Sequence, residues 1–219
     1  AAIYDFEKGQ VFSLNERARQ IVEGSPDNFG FWGKLEGMGL TRGKSDTVTE
    51  AREASPAVGL EFMWLELTSK CNLRCLHCYA EAGNPHAPVA VELSTKSRER
   101  VIEEGAKIGC RRLQFIGGEP FLDRGLFDLA VCAKDLGYEF MEIFTNGTLL
   151  TEAKIKRIKD LGINIAVSVY SDRSEIHEAV TGIKGSFSRV YRGITMLKEA
   201  EIPTRVAVIV MKQNQGTVK

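Results

Sequence analysis

Hydrophobic and polar positions follow two alternating patterns from Leu60 to the end of the chain. Short runs rich in β-branched and aromatic residues are typical of buried strands. They lie at 62–67, 113–116, 140–144, 163–169 and 205–210. Between these runs, apolar residues recur every three or four positions, which predicts four amphipathic helices. Ser94 and Thr151 are placed to cap two of the helices, and Gly137 and Gly162 are placed to end two of them.

Repeated strand–helix units predict an α/β fold with a parallel sheet and right-handed crossovers. Five strands and four helices favour a partial (β/α) TIM-like barrel. A doubly wound open sheet is the second possibility, because the same order of elements suits it. In both architectures the functional site lies at the carboxyl ends of the strands.

The first 58 residues have a different pattern. Apolar pairs at 3–4 and 11–12 flank Gly9 and predict a hairpin, and Asn15 is placed to cap a short helix. Residues 42–59 are polar and lack periodicity, which indicates a linker. We therefore predict a small α/β, winged-helix-like module with its linker at 1–58 and a larger core at 59–219.

Charge and composition exclude several classes of function. Lys plus Arg number 29 and Asp plus Glu number 29, so no net charge favours nucleic acid or an anionic membrane as a partner. No apolar run approaches the ~18 residues of a membrane span, and no secretory signal is present. We expect a cytoplasmic protein. The chain begins with Ala1 and stops just after its last predicted strand, so we expect a fragment at both ends.

Five cysteines, an odd number, suit a metal site better than a disulfide framework. Three of them, Cys71, Cys75 and Cys78, form a C-x3-C-x2-C pattern directly after the first predicted strand. Cys110 and Cys132 lie apart from this group, and we predict that both are buried, inert thiols.

The three clustered cysteines suit a cubane iron–sulfur cluster in which three irons are held by thiolates and the fourth iron is open. The alternative is a zinc site that adds His77 or His86 to the three thiolates. His77 lies between two cysteines and is poorly placed to bind the same ion, whereas His86 is within reach. We expect His77 to shield the cluster by packing.

Other unusual motifs also fall at strand ends. Gly117-Gly118-Glu119-Pro120 follows the second strand, Thr145-Asn146-Gly147 follows the third, and Ser168 to Asp172 closes the fourth. Adjacent glycines let the backbone approach a ligand closely, and a carboxylate accepts hydrogen bonds from an ammonium group. Because the carboxyl ends of parallel strands share one edge, these motifs predict a single active site.

With these motifs the chain resembles the radical SAM superfamily. The resemblance rests on C-x3-C-x-Φ-C, with His77 as the Φ residue, and on G-G-E-P, and it covers residues 60–219. It implies that the three cysteines hold a [4Fe–4S] cluster and that S-adenosylmethionine (SAM) chelates the open iron. Glu119 and the backbone at Gly117 and Gly118 would bind the methionine ammonium. The backbone near His77 and Tyr79 would meet the adenine.

The resemblance also extends to the other strand ends and to the chemistry. Ser168 would contact the ribose or the carboxylate of SAM, with Thr145 and Asn146 lining the same pocket. The implied reaction is reductive cleavage of SAM to methionine and a 5′-deoxyadenosyl radical, driven by a reductant such as flavodoxin or ferredoxin. Many members carry Arg at the position of Thr181. If that Arg binds the carboxylate of SAM, another group must do so here.

For the substrate, the segment from Ser168 to Phe187 resembles peptide-modifying, SPASM-type enzymes that mature ribosomal peptides. The N-terminal module resembles, more weakly, a domain that binds the leader of a precursor peptide. Such an enzyme would form a thioether, a carbon–carbon crosslink or an epimerised residue. The alternatives are a radical SAM enzyme that acts on a small cofactor precursor, with the module simply packed on the barrel, and a metal-binding scaffold without catalysis.

Overall fold

The computed structural model describes the backbone of residues 2–5 and 10–13 and the complete residues 60–86 and 92–217. The chain divides into two compact units, Ala1–Ala57 and Val58–Lys219. In the first unit, β1 (Ala2–Asp5) pairs antiparallel with β2 (Gln10–Ser13), which confirms the strands of the predicted hairpin. The predicted helix after Asn15, the winged-helix-like arrangement and the linker lie outside the described residues. The domain boundaries stay a prediction.

Five parallel strands form the sheet of the second unit. They are β3 (Met63–Glu66), β4 (Arg112–Ile116), β5 (Phe140–Thr145), β6 (Asn164–Ser168) and β7 (Thr204–Ala207). Their order in space is their order in the chain. A doubly wound sheet reverses its strand order at a switch point, and this sheet does not. The predicted partial TIM-like barrel is therefore confirmed.

Helices connect the strands of this sheet. They are α1 (Thr95–Lys107), α2 (Leu126–Asp135), α3 (Glu152–Leu161), α4 (Ser174–Thr181) and α5 (Ser186–Glu199). Ser94 and Thr151 cap α1 and α3, because their side chains accept hydrogen bonds from the backbone N–H of Ser97 and Lys154. Gly162 ends α3 in the left-handed conformation, at φ 70°.

Two elements differ from the sequence prediction. Helix α4 occupies a segment for which no helix was predicted, and it ends at Gly182 in the left-handed conformation. Strand β7 ends at Ala207, so Val208, Ile209 and Val210 lie outside the strand and are exposed, although their β-branched run predicted a strand through 210. Hydrogen bonding to β6 determines where the edge strand ends, and side-chain type alone does not show this.

The core lies between the outer face of the sheet and the helices. Strand residues Leu113, Phe115, Ile143 and Ile165 are fully buried there, as is Ile158 of α3. Removing each such side chain from water contributes about 1.5–3 kcal/mol. Cys110 is buried in this core as predicted. Cys132, predicted to be buried, is only partly buried, because α2 places it at the edge of the core.

The inner face of the sheet follows from the strand register. Trp64, Gln114, Glu142 and Asn164 stand side by side on neighbouring strands. Two further rows lie on the same face. The row nearer the amino ends of the strands pairs Arg112 with Phe140. The row nearer the carboxyl ends aligns Phe144, Ala166 and Arg205. Branched apolar residues usually fill the interior of a barrel. Here the residues of these rows other than Ala166 are polar or aromatic, and they line a cavity of about 1030 Å³.

Candidate active site

The three clustered cysteines line this cavity at the carboxyl ends of the strands. Cys71, Cys75 and Cys78 are each partly buried in the loop that follows β3. Most of the other predicted site residues line the same cavity, namely His77, Tyr79, Gly117, Gly118, Thr145, Asn146 and Ser168. Tyr79 is 91% exposed. The structure thus brings the cysteine loop together with the ends of β4, β5 and β6.

The glycine pair after β4 holds the cysteine loop by backbone contacts. The N–H of Gly118 donates to the carbonyl of Thr68 at 2.7 Å, and the N–H of Glu119 donates to the carbonyl of Lys70 at 2.8 Å. A Cβ at Gly118 would lie 2.2 Å from the Lys70 carbonyl oxygen, and Gly117 has φ 150°. Only glycine allows the two segments to approach this closely.

Helix α4 holds the other side of the loop. The N–H groups of Arg74 and Leu76 donate to the carbonyls of Thr181 and Val180, both at 2.9 Å. The Thr181 side chain is buried, and its hydroxyl lies 2.7 Å from that of Ser186. Thr181 therefore supports the loop through its backbone and does not line the cavity.

Asn146 connects the end of β5 to the first cysteine. Its Nδ2 donates to Oδ1 of Asn72 at 2.9 Å and lies 3.8 Å from the Sγ of Cys71. The backbone N–H of Leu73 donates to the same sulfur at 3.4 Å. Thr148 completes the network, because its hydroxyl donates to Oδ1 of Asn146 at 2.6 Å and accepts from Nδ2 of Asn72 at 2.8 Å. Hydrogen bonds to a cysteine sulfur stabilise its thiolate.

Glu119 lies beneath the cavity surface and is fully buried. Its carboxylate accepts hydrogen bonds from the Thr145 hydroxyl at 2.7 Å, the Asn146 N–H at 2.8 Å and the Phe121 N–H at 3.1 Å. Burial raises the pKa of Glu119, whereas these hydrogen bonds and Lys154 oppose the shift. Glu119 is not among the residues that line the cavity, and its predicted contact with the ammonium of SAM stays a prediction. Its hydrogen bonds hold the Thr145 side chain and the Asn146 backbone in place.

We expect Glu119→Ala to lower the free energy of unfolding by about 3 kcal/mol, because it leaves buried N–H and O–H donors without an acceptor. Urea denaturation followed by circular dichroism measures the change. Glu103→Ala, at an exposed position of α1, is the control and should change stability by less than about 0.5 kcal/mol. Equal stability of the two variants would contradict the positioning role of Glu119.

His77 packs against Tyr170, a residue to which the sequence assigned no separate role. The His77 Nε2 lies 3.2 Å from the Tyr170 hydroxyl, and the ring centroids are 4.9 Å apart. Tyr170 is buried and packs in turn on His177, whose Nδ1 accepts the Tyr170 N–H at 3.3 Å. The packing role predicted for His77 agrees with these contacts. Tyr170 lies just after the end of β6, and this position was the sequence signal that could have identified it.

Burial and mutual proximity change the protonation of the cysteines. Burial, and after it the neighbouring Cys71, raises the pKa of the Cys75 thiol to about 11. Burial also raises the pKa of the Cys71 thiol. Three neighbouring thiolates therefore require a cationic group between them, and a metal centre supplies that charge.

The ligand geometry bears on which metal centre fits. Within residues 60–86 and 92–217, no three His, Cys, Asp or Glu side chains converge on a point that one ion would occupy. A single zinc ion needs such a point, whereas an iron–sulfur cluster binds each thiolate through a different iron. His77 contacts Tyr170, and His86 is exposed. The cysteine loop therefore fits a cluster better than a single zinc ion.

The family of this chain follows from its sequence and its site together. The sequence profile of the radical SAM superfamily matches residues 65–218, so the chain belongs to this superfamily. Membership implies SAM and an iron–sulfur cluster as cofactors, in agreement with the resemblance seen in the sequence. No helix of the described residues has both the length and the apolar character needed to cross a membrane.

Relatives in the superfamily have different named activities. The chain is 31% identical over 190 residues to an AdoMet-dependent heme synthase of Oleidesulfovibrio alaskensis, covering 86% of this chain and 48% of the relative. It is 32% identical over 155 residues to the sporulation killing factor maturation protein SkfB of Bacillus subtilis, covering 70% of this chain and 37% of the relative. The chain therefore spans about half of these relatives' length or less.

Solved structures share the fold. SuiB of Streptococcus suis, bound to its precursor peptide SuiA, superposes with a TM-score of 0.61 at 16% identity, covering 99% of this chain and 55% of SuiB. A second structure of SuiB, bound to S-adenosylmethionine, gives a TM-score of 0.60. At this level of identity the comparison establishes the fold alone.

Proposed function

We propose that this protein is a radical SAM enzyme that modifies a ribosomal peptide. The observation that carries the radical chemistry is the placement of Cys71, Cys75 and Cys78 on one cavity with the glycine pair and with Ser168. When bound, a [4Fe–4S] cluster and SAM supply reductive cleavage of SAM and a 5′-deoxyadenosyl radical that removes a hydrogen atom from the substrate. The electron comes from a reductant such as flavodoxin or ferredoxin.

The residues of this chain have binding and positioning roles in that reaction. The three cysteines would hold the cluster, and the backbone of Gly117 and Gly118 would bind the polar groups of the methionine part of SAM. Ser168 would contact the ribose or the carboxylate. Asn146, fixed by Glu119, donates toward the Cys71 sulfur. Preorganised donors and exclusion of water are the usual contributions of a protein to cofactor chemistry.

The peptide substrate is supported by relatives named as maturation proteins, such as SkfB and the subtilosin biosynthesis protein AlbA of Bacillus subtilis. The β1–β2 pair supplies a small sheet to which an extended leader peptide could add a strand. The second candidate is a small cofactor precursor, which is favoured by relatives named as heme synthases. We also propose that the protein is cytoplasmic.

Two measurements on the anaerobically reconstituted protein test this proposal. With dithionite and SAM, we expect methionine and 5′-deoxyadenosine in equal amounts, measured by liquid chromatography and mass spectrometry. With precursor peptides encoded beside the gene, we expect one of them to change mass. If SAM is not cleaved, the radical SAM activity is wrong.

Removal of residues 1–58 distinguishes the two substrates. A peptide maturase that binds a leader through this module should lose affinity for the precursor, while cleavage of SAM without substrate persists. A small-molecule enzyme should bind its substrate equally well with and without the module. Fluorescence anisotropy of a labelled precursor measures the affinity, and a precursor with a scrambled leader is the control.

A further inference from the structure

We propose that Tyr170 is a positioning residue of the active site, whose hydroxyl holds His77 and, through it, residues 75–78 of the cysteine loop. The inference rests on the proposed function, because residues 75–78 include two of the three cysteines and part of the backbone predicted to meet the adenine of SAM. Tyr170 affects the binding of SAM through the loop that it holds.

The backbone of Tyr170 is fixed on both sides by buried side chains. Its N–H donates to Nδ1 of His177 at 3.3 Å, and its carbonyl accepts from Nδ2 of Asn214 at 2.9 Å. Asn214 is fully buried, its Nδ2 also donates to the Ile209 carbonyl at 2.8 Å, and its Oδ1 accepts the Met211 N–H at 2.7 Å. Helix α4 and the segment after β7 therefore both hold Tyr170 in place.

The ring of Tyr170 packs on a histidine whose position stability alone does not explain. Tyr170 is 5% exposed, His177 is 1% exposed, and their ring centroids are 5.6 Å apart. Burial lowers the pKa of His177, so its ring is neutral, and because Nδ1 is the acceptor, Nε2 carries the hydrogen. This Nε2 is buried and has no hydrogen-bond partner among the described residues. A buried donor without an acceptor lowers stability, which indicates that His177 has another role.

The hydroxyl of Tyr170 lies at the cysteine loop. It is 3.2 Å from Nε2 of His77, and the two ring centroids are 4.9 Å apart. His77 stands between Cys75 and Cys78 in the chain. Burial and the neighbouring Cys71 raise the pKa of the Cys75 thiol, and a hydrogen bond with Tyr170 opposes them. The hydroxyl is therefore next to two residues of the loop, His77 and Cys75.

Different side chains anchor the two halves of the cysteine loop. Asn146 faces the Cys71 sulfur at 3.8 Å. Among the described residues outside the loop, Tyr170 is the one whose side chain hydrogen-bonds a side chain of residues 75–78, and the backbone of α4 adds one further hydrogen bond. Tyr170 lines the cavity and is not part of the hydrophobic core. Loss of its hydroxyl should therefore loosen residues 75–78 and leave the core intact.

Tyr170→Phe tests this role, because it removes the hydroxyl and keeps the ring and both backbone hydrogen bonds. In the anaerobically reconstituted protein, we expect the Kd for SAM to rise about fivefold, as measured by equilibrium dialysis. We also expect the g values of the reduced protein to change in its EPR spectrum, because contacts around the cysteine sulfurs tune an iron–sulfur cluster. An unchanged Kd together with unchanged g values would overturn the role of Tyr170.

Tyr138→Phe is the matched control for this substitution. Tyr138 is also 5% exposed, and its hydroxyl donates to the carbonyl of Ile102 at 3.0 Å in the core, outside the cavity lining. Its removal should leave the affinity for SAM and the g values unchanged. Equal effects of the two substitutions would contradict a positioning role, because the loss of any buried hydroxyl would then suffice. Thermal melts verify that both variants are folded.

A double-mutant cycle shows whether Tyr170 acts through His77. If it does, Tyr170→Phe should weaken the binding of SAM by less than about twofold in a protein that already carries His77→Leu. A fivefold loss in both backgrounds would mean that the hydroxyl contacts SAM directly, and it would overturn the positioning role.

Two readouts separate this inference from the proposed function. Cleavage of SAM is measured on the same samples, and cleavage with equal affinity for SAM in Tyr170→Phe would contradict the positioning role alone. Hydrogen–deuterium exchange before reconstitution requires neither SAM nor a cluster. The N–H of Cys78, which donates to the Cys75 carbonyl at 3.0 Å, should exchange about fivefold faster in Tyr170→Phe. Faster exchange in a protein that does not cleave SAM would support the role of Tyr170 and contradict the proposed function.

Discussion

Cys75→Ala is expected to yield a folded protein that contains no iron–sulfur cluster and does not cleave SAM. Cys75 lines the cavity together with Cys71 and Cys78, and two thiolates cannot hold three irons. Iron and sulfide analysis and the visible absorption of the anaerobically reconstituted protein measure the loss. We expect iron to fall to the background of unreconstituted protein.

Cys132→Ala is the matched control for this experiment. Cys132 lies on α2, partly buried and outside the cavity lining, so its removal should leave iron content and SAM cleavage unchanged. Full iron content in Cys75→Ala would show that the cluster has other ligands. If the unsubstituted protein contained zinc in place of iron, the single-zinc alternative would be favoured over the iron–sulfur cluster.

Gly118→Ala is expected to lower the free energy of unfolding by about 3 kcal/mol and to prevent binding of SAM. The added Cβ would lie 2.2 Å from the carbonyl oxygen and 2.6 Å from the carbonyl carbon of Lys70. Both are backbone atoms, so no side-chain rotation relieves the overlap. The cysteine loop must move away from the end of β4, which breaks the hydrogen bonds of Gly118 and Glu119.

Gly216→Ala is the control, because a Cβ there meets no atom within 4 Å. Thermal denaturation and equilibrium dialysis with labelled SAM measure stability and binding for both variants. If Gly118→Ala binds SAM as the unsubstituted protein does, the close approach of the two segments is not needed for the site. A loss of stability without a loss of binding would limit the role of Gly118 to folding.

Local patterns predicted those parts of the molecule that local interactions determine. Caps such as Ser94, Thr151 and Gly162 act within a few residues, so the sequence alone identified them. The position of each motif at a strand end also followed from the alternation of strand and helix. This is why the sequence could predict that Cys71 and Ser168 share a site before any tertiary contact was known.

The features of the site that the sequence could not predict depend on contacts between residues far apart in the chain. The sequence did not predict that the Glu119 carboxylate accepts hydrogen bonds from Thr145 and Asn146, which lie on the next strand and its loop. Gln114 and Glu142 had no predicted role, because only the register between β4 and β5 places them side by side. Helix α4 was not predicted from the sequence.

The hydrogen bonds from Arg74 and Leu76 to the end of α4 have a consequence for assembly of the metal centre. They order the cysteine loop as the polypeptide folds, together with the close contact at Gly118. We therefore expect less conformational entropy to be lost when iron and sulfide bind than for a loop without these contacts.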